Sequence, residues 1–303
     1  MSAPVAVTGI GVVGAFGVGL EALARCLMGA DLETARHEVD GGSLEVGQAG
    51  WKLRQHWPGL PLKLGRVDRG SKLALIAGRQ ALDSAGIDGG QPAAVVIGSR
   101  YGCLLVNEGY HRSLLTKGYR LASPLLFGYT VPSAPAGELS IAAGLTGPNL
   151  TLVDGDAAGG AAVARAADWI RSGRVERAVA GGVDAQGQWL AQELFDGGAR
   201  DGDRPVPAEG AALVVLESIE SARERGAPIR TLVGASTEGF EPAADGRRLP
   251  VDPLADAIGR TYAAAAPLAL AAMAGGLLAP EPIRVEDELG HHVQLDVSPL
   301  GWG

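Results

Sequence analysis

Apolar residues follow two alternating patterns along this chain. Continuous apolar runs predict buried strands, and runs with apolar positions three and four residues apart predict helices that pack on them. The predicted strands are 5–13, 93–98, 150–153, 177–180, 211–216, 229–233, 282–286 and 293–297. The predicted helices are 20–28, 72–85, 104–115, 159–172 and the alanine-rich stretch 252–274, and residues 31–66 are expected to be irregular. Strands that alternate with helical crossovers predict an α/β protein with a mostly parallel, helix-covered sheet.

The pattern weakens and partly repeats in the last third of the chain. A length of 303 residues is enough for two domains or for one unit built from two halves. The charged stretch 220–228 is the predicted boundary, and no low-complexity linker follows it. We therefore expect a first half, 1–220, and a reduced second half, 221–303, packed on the first as one body.

Composition narrows the class of protein. Hydrophobic residues make up 47% of the chain but aromatic residues only 5%, and 46 positions are glycine, which favours close packing of helices on a sheet. The net charge of −8 argues against nucleic acid as the main partner. No apolar run reaches the roughly 18 residues of a membrane span, and the start lacks a basic region typical of signal peptides. We expect a cytoplasmic protein without a membrane partner.

Common catalytic and cofactor motifs are weak here. Cys26 and Cys103 are too few for a disulfide framework or a cysteine-built zinc site, and His291 and His292 would point to opposite faces of a strand. The glycines of segment 9–14 fit a dinucleotide fingerprint, but the acidic residue that should end a second strand is missing, so tight strand packing is favoured. No G-x-S-x-G elbow is present. The sequence therefore predicts no metal and no cofactor.

Asp154 and Asp156 stand out because both follow a predicted strand and immediately precede a predicted helix. An acid at a helix start accepts backbone N–H bonds and interacts favourably with the helix dipole. A pair of close carboxylates can also do acid–base chemistry. Both interpretations remain open at this point.

Several segments keep the order and spacing of one known family. Segment 5–14 resembles the opening of the β-ketoacyl synthases, which have the thiolase fold. The other matching segments are 66–74, 81–86, 123–127, 130–131, 136–137, 144–149 and 180–184. The resemblance covers residues 4–220 well, and it implies an α/β, thiolase-like layered α-β-α-β-α fold with a truncated second half.

The resemblance also implies that the catalytic residues of this family are lost. The position of the family's nucleophilic cysteine falls on Asp156, which cannot take up an acyl group as a thiolate does. One of the family's two histidines belongs to a segment missing between Thr237 and Leu254, and the other is replaced by Arg260. We therefore expect neither condensation nor decarboxylation, and we hypothesise that Asp156 and Arg260 form a buried ion pair.

Within this family, such a non-condensing chain resembles the chain-length factor of type II polyketide synthases. The resemblance implies a heterodimer with an active ketosynthase, a shared tunnel for the growing polyketide or acyl chain, and an acyl carrier protein reached only through the ketosynthase. A shortened second half favours a highly reducing, polyene-type system. We expect the chain to aggregate alone and to be stable when co-expressed with a ketosynthase.

The resemblance assigns residues to the interface and the tunnel. The dimer strand would consist of Leu150, Thr151, Leu152 and Val153. The interface and tunnel would include Leu104, Asn107, Glu108, His111, Leu125, Leu126, Phe127, Gly128, Tyr129 and Thr130. The first four of these share one helix face, which is equally compatible with a partly solvated surface.

Two other functions remain as alternatives. One is a stand-alone thiolase-fold acyl hydrolase or acyltransferase that uses Asp156 with a neighbouring base or nucleophile. The other is a homodimeric, inert module that binds acyl groups.

Overall fold

The computed structural model describes residues 3–60, 67–240, 252–287 and 291–299. Its strands are β1 (Val5–Gly14), β2 (Gly17–Val18), β3 (Thr34–Val39), β4 (Gly42–Gly47), β5 (Ala94–Ser99), β6 (Asn149–Val153), β7 (Arg177–Asp184), β8 (Gly210–Glu217), β9 (Thr231–Phe240), β10 (Ile283–Glu286) and β11 (His291–Ser298). Its helices are α1 (Leu20–Leu27), α2 (Leu53–His56), α3 (Arg69–Ala85), α4 (Leu104–Lys117), α5 (Pro124–Phe127), α6 (Ala134–Ala143), α7 (Ala158–Arg171), α8 (Gln188–Asp196), α9 (Ile219–Glu224), α10 (Ala255–Ile258) and α11 (Ala265–Ala274). Short 3-10 turns lie at Tyr119–Leu121 and Tyr262–Ala264.

One large sheet runs through the molecule in the order β10-β11-β9-β1-β8-β7-β5-β6, with β2 paired to β1. Strand β5 pairs in parallel with β6 and β7, whereas β1, β8, β9, β10 and β11 are joined by antiparallel pairs. The prediction of a mostly parallel sheet is therefore wrong, and the sheet is mixed. The direction was misjudged because a strand buried on both faces has the same continuous apolar pattern in either orientation.

Helices cover the central strands on both faces. Helices α3 and α6 pack on one face, and α7 and α11 pack on the other, between the central strands and the β9–β11–β10 part of the sheet. All ten residues of α11 are buried, which explains its unbroken apolar composition. Beyond this layer the outer side of β10 and β11 carries exposed polar side chains such as Arg284 and Asp296.

The glycines of β1 illustrate how closely these layers approach. A Cβ atom on Gly9 would collide with the carbonyl oxygen of Ala81, and one on Gly11 would collide with that of Ala77, both in α3. The glycine motif therefore serves tight strand–helix packing, as the sequence favoured.

Three local predictions are wrong. Residues 31–66, expected to be irregular, contain the β3–β4 hairpin and α2; the alternating half-exposed pattern of β3 is too polar to resemble a core strand. Helices α6 and α8 were missed. The stretch 252–274 is not one helix but α10, a 3-10 turn and α11, because Gly259 and Tyr262 adopt positive φ angles of 78° and 52°.

Within the ranges described, none of the helices is long and apolar enough to cross a membrane.

Candidate functional site

Asp156 lies in the short turn that joins β6 to α7. Gly155 precedes it with φ of 57°, and a side chain there would collide with the carboxylate of Asp287. Asp156 is only 4% exposed, whereas Asp154 is exposed. The carboxylate of Asp156 does not accept backbone N–H groups of α7, so the interpretation as a helix-start acceptor is wrong for this residue.

Two arginines hold the Asp156 carboxylate. Arg260 Nη2 lies 2.8 Å from Asp156 Oδ2, which confirms the predicted ion pair. Arg100 Nη1 lies 2.6 Å from Oδ1 and was missed by sequence reasoning. Nothing in the sequence marked it, because Arg100 and Asp156 are brought together by the parallel pairing of β5 and β6. Ser99 lies opposite Val153, so residues just beyond both strands meet at one edge. Asp156, Arg100 and Arg260 are called the buried ion cluster below.

Two tyrosine rings complete the surroundings of the cluster. Tyr101 and Tyr262 meet edge to face with ring centroids 5.0 Å apart. The guanidinium carbons of Arg260 and Arg100 lie 5.1 and 5.7 Å from the centroid of the Tyr262 ring. Burial raises the pKa of Tyr101 to about 12 and the pKa of Tyr262 well above its usual value of 10. Both phenols therefore keep their protons at neutral pH and do not act as bases there.

Asp184, at the end of β7, organises the backbone beside the cluster. Its carboxylate accepts hydrogen bonds from Ser99 Oγ (2.7 Å) and from the N–H groups of Arg100, Tyr101 and Ala263 (3.0–3.1 Å). Burial raises its pKa to about 6 even though these donors favour the charged form. The ends of β5 and β7 and the turn before α11 are thus joined at one buried carboxylate.

Asp252 holds the other side of the same turn. Its carboxylate accepts the N–H of Leu254 at 3.1 Å and the N–H of Thr261 at 3.3 Å. Burial raises the pKa of Asp252 to about 6 as well, and the negative charge of Asp156 acts in the same direction. Asp252 therefore holds the residue after Arg260, and Arg260 itself is held by its ion pair.

This arrangement does not resemble an activated catalytic centre. Each Asp156 oxygen is engaged by an arginine, so the carboxylate is neither a poised base nor an accessible nucleophile. Cys103 donates its thiol to the carbonyl oxygen of Thr130 at 3.0 Å, and burial raises its pKa, which favours the protonated thiol.

One aspartate–histidine pair lies near this turn and was not predicted. Asp287, 2% exposed, accepts the backbone N–H of His291 at 3.0 Å, and its Oδ2 lies 3.1 Å from His291 Nδ1. The two residues close the β10–β11 hairpin, and the Asp287 carboxylate packs against Gly155. The neighbouring His292 ring packs over Gly239 of β9.

The four predicted residues of α4 do not share one environment. Glu108 is buried and binds the backbone N–H of Trp189 (3.1 Å) and Arg112 Nη2 (2.8 Å). Leu104 and Asn107 are half-buried, and His111 is exposed. A cavity of about 20 Å³ lies between α4 and α8, lined in part by Leu104, Glu108 and Trp189. Such a volume holds about one water molecule.

The predicted segment 125–130 lies next to α4. Phe127 is 62% exposed and its ring centroid lies 5.9 Å from that of Tyr110; Leu125 is also exposed and Leu126 is half-buried. Tyr129 donates its hydroxyl to Glu138 at 2.6 Å. The remaining two members are the exposed Gly128 and the half-buried Thr130.

Strand β6, which contains the four predicted dimer-strand residues, is the last strand of the sheet on this side. Leu150, Thr151 and Leu152 are half-buried, and Val153 is 54% exposed. Large apolar side chains are also exposed on the neighbouring segments. They are Leu115, Tyr119, Leu121, Leu125, Phe127, Val131 and Ile141. Together with Val153 these residues are called the apolar face.

The comparisons with known proteins agree with the layered fold. Residues 2–222 match the family model described as Beta-ketoacyl synthase, N-terminal domain. The chain belongs to the β-ketoacyl synthase family. Its fold is accordingly thiolase-like, as the sequence implied, with a large mixed sheet.

Curated proteins match this chain over part of its length. Nodulation protein E of Rhizobium sp. (strain N33) is 34% identical over 208 residues, which cover 61% of this chain and 51% of the relative. The 3-oxoacyl-(acyl-carrier-protein) synthase 2 of Staphylococcus aureus is 32% identical over 197 residues, 57% of this chain and 48% of the relative. The chain thus spans about half the length of these curated relatives in the matched region.

Solved structures of the family superimpose over nearly the whole chain. The ishigamide ketosynthase/chain length factor matches with a TM-score of 0.82 and 20% identity, covering 99% of this chain and 100% of that one. A chain from the structure of a type II PKS acyl-carrier protein in complex with its ketosynthase bound to the hexaketide matches with a TM-score of 0.80 and 19% identity. The match covers 99% of this chain and 100% of that one. At these identities the likeness establishes the β-ketoacyl synthase fold.

Proposed function

We propose that this chain is a non-catalytic chain-length factor of a type II polyketide synthase, which forms a cytoplasmic heterodimer with an active ketosynthase and shapes the tunnel for the growing acyl chain. The observation that carries the proposal is the buried ion cluster. Where the family resemblance places the nucleophilic cysteine, the chain has a carboxylate that two arginines neutralise.

The chemistry of the cluster supports inactivity. Acyl transfer from a thioester needs an accessible nucleophile and donors that stabilise an oxyanion. Arg260 stands where the resemblance places a catalytic histidine, and its guanidinium is directed to Asp156. An arginine stays protonated at every physiological pH, so it cannot exchange a proton as a histidine does.

The apolar face supports an obligate partner. Exposed apolar side chains that cluster on one surface mark interaction sites in soluble proteins. In this chain they lie on α4, α5, α6 and the segments between them, next to the open edge of β6. An open edge strand is a template for pairing with another chain, so β6 and its counterpart would join two sheets into one.

The charge of this region suggests what the partner offers. Between Glu108 and Glu138 the sequence contains Arg112, Lys117 and Arg120 but no acidic residue, in a chain whose net charge is −8. A ketosynthase surface with an acidic rim around an apolar centre would complement it. Carrier-protein docking is assigned to the ketosynthase, since acyl carrier proteins are acidic and this chain is acidic overall.

The tunnel would be formed mainly at the heterodimer interface. The cavity of about 20 Å³ beside Leu104 and Glu108 is too small for an acyl chain, so α4 and segment 125–130 would form a wall rather than a closed pocket. Replacing Phe127 or Leu126 with a smaller side chain should lengthen the products of the reconstituted system. Unchanged products would remove these two residues from the tunnel. The short segment between Thr237 and Leu254 favours a highly reducing, polyene-type system.

Co-expression tests the proposal. The chain expressed alone is expected to aggregate, and expressed with a ketosynthase that has its cysteine and both histidines it should co-purify as a stable heterodimer. The complex should extend acyl chains, and activity should disappear with the ketosynthase cysteine but persist in Asp156→Asn. A monodisperse, stable monomer that does not bind the ketosynthase would refute the proposal.

The alternative is a stand-alone acyl hydrolase or acyltransferase. The observation that favours it is the Asp287–His291 pair beside Gly155. This alternative is less supported, because Asp156 is occupied by arginines. Turnover of an acyl thioester by the isolated chain, lost in both Asp156→Ala and His291→Ala, would favour this enzyme over the chain-length factor.

A further inference from the structure

We propose that Arg100 is a positioning residue that couples the buried ion cluster to helix α4 and so sets the orientation of the apolar face. The proposal deepens the proposed function, since that face is where the ketosynthase would bind. It rests on three sets of contacts around the loop that joins β5 to α4.

The start of α4 has no side-chain cap of its own. Its N-cap residue is Cys103, whose side chain makes no capping hydrogen bond, so the helix position depends on the preceding loop. Two side chains bind the backbone of that loop. The carboxylate of Asp184 accepts the N–H groups of Arg100 and Tyr101, and Ser99 Oγ accepts the N–H of Gly102 at 2.8 Å.

The side chain of Arg100 holds the same loop from the other side. Its guanidinium bonds Asp156 at 2.6 Å and lies 5.2 Å from the centroid of the Tyr101 ring. Asp156 is in turn anchored to Arg260, whose backbone N–H and C=O bond Val206 and Ala208 at 2.8 and 2.9 Å. Arg100 therefore connects the loop before α4, through Asp156, to the backbone around Arg260.

Core packing alone does not fix α4. Of its fourteen residues only Val106 and Glu108 are buried, in contrast with α7, where ten residues are buried. A helix with so little buried surface has little packing energy to hold its angle, so its anchor at the N-terminal end has a large influence. The buried ion cluster is then the fixed point from which the interface helix extends.

Hydrogen exchange of the full chain, carried on a solubility tag and kept dilute, tests this coupling without a partner. Arg100→Gln keeps the Asp156–Arg260 pair but removes the link to the loop. Amide exchange in α4 should accelerate about tenfold or more, while α7 and α11 change by less than about twofold. The matched control is Arg25→Gln, which removes an exposed pair with Glu21 on α1 and should leave α4 unchanged.

Two outcomes would overturn the coupling. Exchange in α4 that is equal in Arg100→Gln and Arg25→Gln would show that the loop does not need Arg100. Acceleration spread evenly over α4, α7 and α11 would show a general loss of stability. If Arg100→Gln does not fold, Arg100→Lys is used instead. Amide exchange in α4 should then be faster in Arg100→Lys than in the Arg25→Gln control, and equal exchange in these two variants would refute the proposal.

Binding distinguishes this inference from the proposed function. With a co-expressed ketosynthase, Arg100→Gln should weaken the complex while the wild type binds. If the wild type does not bind, the proposed function is wrong, whereas the coupling between Arg100 and α4 is still tested by the hydrogen-exchange result. If both bind equally tightly, the coupling does not reach the interface and this inference fails alone.

Discussion

Two groups of helices in this chain bury their surfaces in opposite ways. In the layer between the two parts of the sheet, every residue of α11 and ten residues of α7 are buried. In the segment from α4 to α6 most residues are exposed or half-buried, and nearly all the large exposed apolar side chains of the described residues lie there or on β6. The first region buries its apolar residues within one chain, whereas the second leaves large apolar side chains exposed, which is typical of interaction surfaces.

The two regions also differ in the size of their side chains. Between two sheet parts, side chains must be small, because the layers approach until backbone touches backbone, as at Gly159 and Ala263. On the apolar face, large side chains such as Tyr119 and Phe127 are exposed in the single chain, and a partner that covered them would remove this apolar surface from water.

The middle layer should tolerate no added volume. A Cβ atom on Gly159 would collide with the carbonyl oxygen of Ala263, so Gly159→Ala should lower the unfolding free energy by about 3 kcal/mol or prevent folding. The same change at Gly137 of α6, where a Cβ atom meets nothing, should instead stabilise by up to about 1 kcal/mol. Urea unfolding followed by circular dichroism measures both, and equal effects would remove the contrast between the regions.

The buried ion cluster should behave as part of the buried region. Asp156→Ala leaves two arginine side chains without their shared counter-charge, which should lower the unfolding free energy by about 3 kcal/mol. Asp154→Ala, at the exposed neighbour in the same turn, should change it by less than about 0.5 kcal/mol. Thermal unfolding tests the pair, and a stable Asp156→Ala variant would mean that the cluster contributes nothing to the fold.

The exposed apolar region should matter for association and not for folding. Val153→Lys places a charge on the open edge of the sheet and should weaken binding to the ketosynthase about tenfold or more, while thermal unfolding of the dilute chain on its solubility tag stays nearly unchanged. Met28→Lys, at an exposed apolar position directly after α1, is the control and should bind normally. Titration calorimetry or co-purification separates the two, and a loss of binding in both variants would place the interface elsewhere.

The smallest effect concerns pH. Burial raises the pKa of Asp184 from 3.8 to about 6, so between these values the folded chain holds a proton that the unfolded chain has released. The contribution of this group to the unfolding free energy is therefore greatest below about pH 4 and declines as the pH rises to about 6.

Urea unfolding of the wild type and Asp184→Asn over this range measures that contribution. The advantage of the wild type over the variant should shrink as the pH rises from about 4 to about 6 and stay constant above it. An advantage that grows with pH would contradict the raised pKa.

Much of the fold could be predicted from the sequence, because a buried strand or helix is apolar along its own short segment. The fully buried β1, β5 and β8 have continuous apolar runs, and the alanine-rich α11 could only be an interior helix. The β3–β4 hairpin was missed because its strands are half-exposed, so that their polar residues form no continuous apolar run. Strand direction was misjudged because antiparallel and parallel buried strands have one pattern.

One arginine of the candidate site could be predicted from the sequence and the other could not. The Asp156–Arg260 pair was inferred because two unusual residues occupied positions that the family resemblance marked. Arg100 carried no such mark, because it lies 56 residues from Asp156 and becomes its neighbour only through the parallel pairing of β5 and β6.

The sequence by itself determined which segments are interior, which family the chain resembles and which residues stand at the positions that the resemblance marks. These features depend on the identity of residues at single positions or short spacings. The tertiary structure decided the mixed direction of the sheet and the second arginine on Asp156. Each of these depends on which distant segments lie side by side, and hydrophobic burial, being non-directional, favours association without specifying the neighbour.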